Sequence, residues 1–303
     1  MLKRIALSLL PLICLCAVAC GTSAHAADAV TVGISDNGTA MFSEQPFLKL
    51  NIAQARDVVF WNAAVLKNKA PLNAARAWIN AAESAGVNPL ISFTSDGPHI
   101  PSVADYTSAI RAFIHDFPQV RTYSPWNEPD WVYLPLSRNP GLAAAYFNAM
   151  VRNCKKCTIL AGDLYLPAAQ LGPWIRAYRK DLQSKPAVWA LHPYYDVRTH
   201  TTSQIRTLES LTSGPIWLDE ISGVERRGHW QYANQSVAAA GRDESFLFSL
   251  PKRFKRITRI YHYQWQAVAS APWDSGLLGP DGAPRPAYYV VAGAAGLRHA
   301  TRS

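Results

Sequence analysis

Two short stretches place carboxylates where packing does not require them. In YSPWNEPDW (Tyr123–Trp131), Glu128 stands between Asn127 and Pro129, flanked by Trp126 and Trp131, just after a run with the character of a buried strand. In PIWLDEISG (Pro215–Gly223), Glu220 ends another apolar run beside Asp219. A carboxyl group can act as general acid or base, or as a nucleophile when it is ionised and positioned. Two of them, brought together from such distant parts of the chain, could do both on one bond held between them. The bland readings are a first-turn helix acid for Glu128, with Asn127 as cap, and a strand-end ion pair for Glu220, a role Asp219 could take instead. Pro129 and Trp131 do not continue into a helical pattern, which favours chemistry for Glu128. Strand alternation sends Asp219 and Glu220 to opposite sides, so only one of them is expected to face a cleft.

The elements that must position these groups follow from the alternation of short apolar runs with longer amphipathic ones, the signature of repeated βα units. Eight strands are expected: Val30–Ser35, Asp57–Asn62, Pro89–Ser95, Thr122–Glu128, Thr158–Tyr165, Ala187–Tyr194, Pro215–Ser222 and Arg259–Trp265. Helical patterns cover Leu72–Ala85, Ala104–Phe117, Gly141–Asn153, Gln170–Leu182, Ser203–Leu211, Gln235–Leu250 and Pro286–Leu297, with a short, poorly periodic one over Phe42–Arg56. Eight strands with intervening helices imply an α/β protein built as a closed (β/α)8 barrel; a doubly wound open sheet is the rival. No repeat, low-complexity tract or linker marks a second domain. In such a barrel the active site lies at the C-terminal strand ends. Glu128 ends the fourth strand and Glu220 the seventh, on opposite sides of the mouth. Carboxyl groups facing each other there at about 5 Å would suit hydrolysis of a glycosidic bond with retention.

The combination of Asn127-Glu128-Pro129 on strand four with a glutamate closing strand seven resembles the clan A glycoside hydrolases, and strand order and spacing extend the resemblance over nearly the whole mature chain. It implies Glu128 as acid/base, Glu220 as nucleophile and Asn127 as a partner of the sugar 2-hydroxyl. It also implies that His192 and Tyr194, in ALHPYY, flank the nucleophile and that Trp265 forms an apolar floor under the sugar. Arg56 resembles the arginine that orients the nucleophile, but on this reading it precedes the second strand and stands at the wrong end. Asn62 is better placed for the cleft, and Trp126 is a candidate sugar contact. Asp96, Asp163, Trp61, Trp131 and Trp230 are further candidate sugar contacts, and Trp273 and Asp274 could line the site. The tail SGLLGPDGAPRPAYYVV is similar to the last loop and helix start of such barrels, with an Asp281-Gly282 turn. No metal or organic cofactor is implied. The rival function is a non-catalytic carbohydrate-binding protein on the same barrel; an esterase would want a G-x-S-x-G elbow, which the chain lacks.

The 303 residues are 49% hydrophobic and 17% charged, with ten tryptophans, which provides a large core and excludes intrinsic disorder. Lys3 and Arg4, an apolar run broken by Pro11, and Ala24-His25-Ala26 read as a secretory signal peptide over residues 1–26, leaving 27–303 as the catalytic domain. A lipid anchor at Cys20 is the alternative; both take the protein out of the cytoplasm. Export agrees with the cysteines, since only Cys154 and Cys157 lie outside the leader. Their C-x-x-C spacing could serve zinc or thiol exchange, but with no second ligand pair nearby a structural disulfide is favoured. The formal charge of +9 falls to about +7 when Lys3 and Arg4 leave with the leader, and the basic residues are scattered. This gives no case for nucleic-acid binding. The expected partner is a poly- or oligosaccharide, taken up by a monomer without a stable membrane span.

Overall fold

The computed structural model describes residues 30–227 and 234–297. The expected leader with its expected cleavage site, Cys20 and Trp230 lie outside the described residues. Eight parallel strands close into one barrel: β1 (Thr31–Ser35), β2 (Gln54–Phe60), β3 (Asn88–Thr94), β4 (Thr122–Ser124), β5 (Thr158–Leu164), β6 (Val188–Leu191), β7 (Ile216–Ile221) and β9 (Ile257–Tyr263), with β9 pairing back onto β1. A two-residue ribbon, β8 (Arg226–Arg227) against β10 (Trp273–Asp274), lies outside the barrel. The described residues thus form one (β/α)8 domain.

The helices form where the apolar spacing predicts, and side chains fix several of their starts. Ser102, Asn139 and Ser236 cap α3 (Val103–Asp116), α4 (Pro140–Asn153) and α8 (Val237–Arg253) by accepting from the backbone N–H three residues on. The poorly periodic stretch expected as a helix over Phe42–Arg56 is instead a 3-10 turn at Ala40–Ser43, the short α1 (Gln45–Leu50) and the first part of β2. β2 therefore starts three residues earlier than its β-branched run suggests, which moves Arg56 onto the strand and into the barrel. β4 is only three residues long, so Trp126, Asn127 and Glu128 belong to the turn beyond it. β6 likewise ends at Leu191, and Tyr194 opens a short helix, α6 (Tyr194–Thr199).

The barrel interior has two layers. The lower one is apolar: Leu90, Leu160, Val188, Ala190, Trp217 and Tyr261 form one buried cluster. Gly33 on β1 makes room for the Tyr261 ring, which a β-carbon at that position would strike. Above it sit Ser35, Arg56, Ser92, Asp163 and Asp219, all essentially inaccessible. Such charges persist in a protein interior only when paired, and the pairing described next is what holds the mouth of the barrel in shape.

Candidate active site

Arg56 is the centre of the site. Its guanidinium is fully buried and donates from Nη1 to Glu220 Oε2 at 2.7 Å and to Ser35, from Nε to Ser92, and from Nη2 to Asp163 and to Asn127 Oδ1. Asp219 Oδ2 lies 3.4 Å from Nε. Burial alone would lower its pKa, but Glu220, Asp163 and Asp219 together outweigh that and fix the charge. Glu220 receives a second donor from Tyr194, whose hydroxyl stands 3.3 Å from Oε1. Its carboxylate is thus held at both oxygens, with 14% of the side chain open to the mouth.

Glu128 is held differently. Its single described side-chain partner is His192, whose Nδ1 lies 3.0 Å from Oε1, while Nε2 of the same ring stands 3.4 Å from Asp219. Burial raises the Glu128 pKa; His192 and Arg56 pull it down and Glu220 pushes it up, with a net rise. The His192 ring is held well above its ordinary value because Asp219, Glu128 and Glu220 overcome its burial. Glu128 also occupies the left-handed region, with φ 46°, a conformation that costs a non-glycine residue about 1–3 kcal/mol and that aims the side chain across the mouth. Behind it Asp130 accepts from the N–H groups of Tyr165 and Leu166, tying the β5 loop to the β4 loop. Burial pushes Asp130 up to about 7.

Carboxyl oxygens of Glu128 and Glu220 and a ring nitrogen of His192 lie within 4.8 Å of one another. An aromatic wall stands beside them. The Tyr194 ring meets Trp273 edge-on at 5.3 Å, and Trp273 lies 6.1 Å from Tyr263. Burial raises the Tyr263 hydroxyl, and so does the charge of Glu220. The β4 loop carries Trp131 edge-on to Tyr133, which is 73% exposed.

The structure brings together Glu128, Glu220, Asn127, His192 and Tyr194, as the sequence suggests, and corrects the placement of others. Arg56 is not at the wrong end of its strand; it binds Glu220 directly. His192 flanks Glu220, with a ring nitrogen within 4.8 Å of its carboxyl group, and also bonds Glu128 directly through Nδ1. Asp219 and Glu220 both reach Arg56 despite strict alternation, because β7 shifts register against β9 between Leu218 and Ile221. Trp126 faces away from the mouth, 3% exposed and stacked on Tyr146 in the layer between barrel and helices, so it has no free face for a sugar. Trp265 is 2% exposed, packs edge-on to Phe47 and donates to Glu44, which makes it a core residue rather than an open floor. Asn62 is buried and donates to Asp96 at 2.6 Å, so the two orient each other. Cys154 and Cys157 form a disulfide at the end of α4, their Cα atoms 5.4 Å apart. The residues that sequence reasoning missed are Tyr263 and Asp130, together with Arg56, which it set aside. Arg56 was recoverable from alternation in QARDVVF; Tyr263 and Asp130 carried no signal beyond their neighbours.

The family model described as glycosyl hydrolase catalytic core matches residues 100–287. No curated protein matches the chain. Among solved structures, a family 39 glycoside hydrolase from Bacteroides cellulosilyticus WH2 is similar at 17% identity and a TM-score of 0.61, over 89% of this chain and 64% of that one. An endo-beta-1,4-glucanase from Xanthomonas axonopodis pv. citri matches at 13% identity and TM-score 0.61, over 88% of this chain and 99% of its own. A thermostable mutant of a xylanase from Cellvibrio japonicus matches at 11% identity and TM-score 0.63, over 89% and 98%. This chain therefore spans just under two thirds of the length of the family 39 enzyme, and at these identities the likeness is one of fold. The family match extends over well over half of the sequence and runs from before the β4 turn to the last helix, taking in both glutamates: the chain belongs to the glycosyl hydrolase catalytic core family.

Proposed function

We propose that the protein is an exported retaining glycoside hydrolase that cleaves O-glycosidic bonds of a poly- or oligosaccharide by double displacement. The observation that carries this reading is the approach of Glu128 and Glu220 to within 4.8 Å, close to the separation of about 5–5.5 Å at which one carboxylate reaches the anomeric carbon directly and too near for a water between them. Export rests on the leader-like sequence at residues 1–26.

In the first half-reaction Glu220 attacks the anomeric carbon while the exocyclic C–O bond breaks, and the Glu128 proton passes to the leaving oxygen. Arg56 and Tyr194 fix both oxygens of Glu220, so the attacking orbital is aligned before the sugar arrives. His192 holds Oε1 of Glu128 and leaves the other oxygen for the proton. In the second half Glu128, now ionised, takes a proton from water, which attacks the same carbon and releases Glu220. Asn127, its carbonyl oxygen fixed by Arg56, has its Nδ2 donor available to a hydroxyl of the bound sugar. Tyr194, Trp273 and Tyr263 supply an apolar wall for the sugar ring, and Trp131 and Tyr133 supply one further out along a chain.

The test is a screen of plant, fungal and bacterial cell-wall glycans for released reducing ends with wild type and Glu220→Ala, followed by proton NMR of the first product formed. The reading expects product with the anomeric configuration of the substrate and no release by the variant. Inverted product, or unchanged hydrolysis by Glu220→Ala, would overturn it. Glycan binding with no turnover by the wild type would establish the non-catalytic alternative.

A further inference from the structure

Beneath the two glutamates the barrel interior holds a second carboxyl pair that the double displacement does not use. Asp163 on β5 and Asp219 on β7 are both 0% exposed, and one oxygen of each lies within 4.8 Å of the other and of a His192 ring nitrogen. Arg56 reaches Asp163 from Nη2 at 3.2 Å and Asp219 from Nε at 3.4 Å, Ser92 donates to Asp163 Oδ2, and His192 Nε2 stands 3.4 Å from Asp219 Oδ1. Asp163 Oδ1 meets no donor from another described residue. Both oxygens of Asp219 likewise have no hydrogen-bond partner among the described residues, and with one oxygen of each group within 4.8 Å of the other, a hydrogen bond between the two carboxyl groups is the pairing this arrangement leaves open to them. A carboxylate is an acceptor only, so such a bond exists only when one member of the pair carries a proton.

We propose that Asp163 and Asp219 share one proton, held mainly on Asp163, and that ionised Asp219 is a positioning residue for both catalytic glutamates, holding Arg56 beneath Glu220 and the His192 ring against Glu128. The roles given to the two glutamates rest on the reading above; the shared proton does not.

Charge conservation supports this. Arg56 and His192 are the two cations of the cluster, and Asp163, Asp219, Glu128 and Glu220 are its four acids. The other groups facing it are Tyr194 and Tyr263 from the mouth, Tyr178 and Tyr261 from below, and Asp130, whose oxygens are taken by backbone N–H groups on the far side of Glu128. With a proton on Asp163 and one on Glu128, two positive charges face two negative ones. After the Glu128 proton leaves with the departing alcohol and Glu220 becomes an ester, two still face two. With both aspartates ionised, each state would carry an excess negative charge on a cluster whose two aspartates are fully buried, which is strongly unfavourable. Burial and the neighbouring Asp219 charge raise Asp163 to about 8, and Arg56 and His192 oppose them only in part. Burial would raise Asp219 too, but His192 and Arg56 outweigh it and hold it ionised.

The deciding measurement is difference infrared spectroscopy of the folded protein at neutral pH, comparing Glu128→Gln with Glu128→Gln/Asp163→Asn. The background variant removes the proton on the catalytic acid, and asparagine tolerates the left-handed backbone of position 163, φ 55°. One protonated-carboxyl carbonyl band should vanish when Asp163 is replaced; spectra identical in that region would overturn the proposal. The result does not depend on which glycan is cleaved, or on whether any is. Activity gives the second arm: Asp219→Asn should lose at least about tenfold more kcat than Asp163→Asn and move the alkaline limb upward by about one pH unit, since a neutral His192 no longer holds down the Glu128 pKa. Equal losses from the two variants, with no movement of the limb, would overturn the positioning role.

Discussion

The two glutamates face each other across one sugar-sized gap, yet their surroundings are built on opposite lines. Glu220 is gripped at both oxygens, by the fully buried guanidinium of Arg56 and by Tyr194, and the charge opposite it cannot be removed by pH in any working range. Glu128 sits on a strained turn, is equally shut off from water, and has a partner, His192, that can itself titrate. One carboxyl group is set against a permanent cation, while the other, raised by its burial, is set against a ring that itself titrates. The division of labour proposed for nucleophile and acid would thus lie in what surrounds two chemically identical side chains.

The largest effect should come from the fixed side. Glu220→Ala should reduce glycan hydrolysis to background, since it removes the attacking atom, and reducing-end release measures this. Glu128→Gln should cost about 10²–10⁴-fold in kcat/KM on natural glycosides and far less on aryl glycosides whose leaving group needs no proton. A loss independent of leaving group would remove Glu128 from the acid role. Arg56→Lys keeps the charge but loses the planar fork that serves Glu220, Asn127, Asp163 and Ser35 at once. It should therefore lower kcat by about 10²-fold or more, as loss of a preorganised donor does, and lower Tm as well.

Smaller changes separate the two sides by pH. Glu128 keeps its proton above the range of an ordinary glutamate, so kcat/KM should fall only as pH rises through that elevated value. His192→Phe removes the cation that opposes burial, so the alkaline limb should move to higher pH. A move to lower pH would show that His192 supports the proton instead of restraining it. The smallest effect lies outside the cleft. Asp57, next to Arg56 on β2, is raised by burial to about 8. In the unfolded chain it ionises near pH 4, so between pH 4 and 8 the native state stays protonated while the unfolded state gains its charge, and stability falls as pH rises. Asp57→Asn should leave Tm unchanged at pH 4 and raise it by a few degrees at pH 8, where about 1 kcal/mol is worth about 2–4 °C.

The barrel itself was legible because each strand is a short apolar run punctuated by an amphipathic helix, and this pattern survives errors of two or three residues at any boundary. The site did not tolerate such errors. Starting β2 at Asp57 instead of Gln54 put Arg56 outside the barrel, although it is the residue that ties β2 to β5, β7 and the β4 turn. Glu128 and Glu220 stood out because an acid ending an apolar strand has few packing explanations. Trp126 and Trp265 misled because aromatic residues suit a core and a sugar face equally well, and only the tertiary arrangement decides which they meet. Asp219 was hidden by the assumption of regular alternation, which the irregular pairing of β7 breaks. None of the described helices is long and apolar enough to cross a membrane.

The central claim is that Glu220, held by Arg56 and Tyr194, bonds covalently to the sugar. Incubating the protein with 2-deoxy-2-fluoro glycosides of glucose, xylose and mannose carrying good leaving groups, then locating the adduct by peptide mass spectrometry, tests it directly. The account predicts a glycosyl ester on the peptide containing Glu220, absent from Glu220→Ala. An adduct on another residue, or hydrolysis of the parent glycosides with inversion and no adduct, would contradict it.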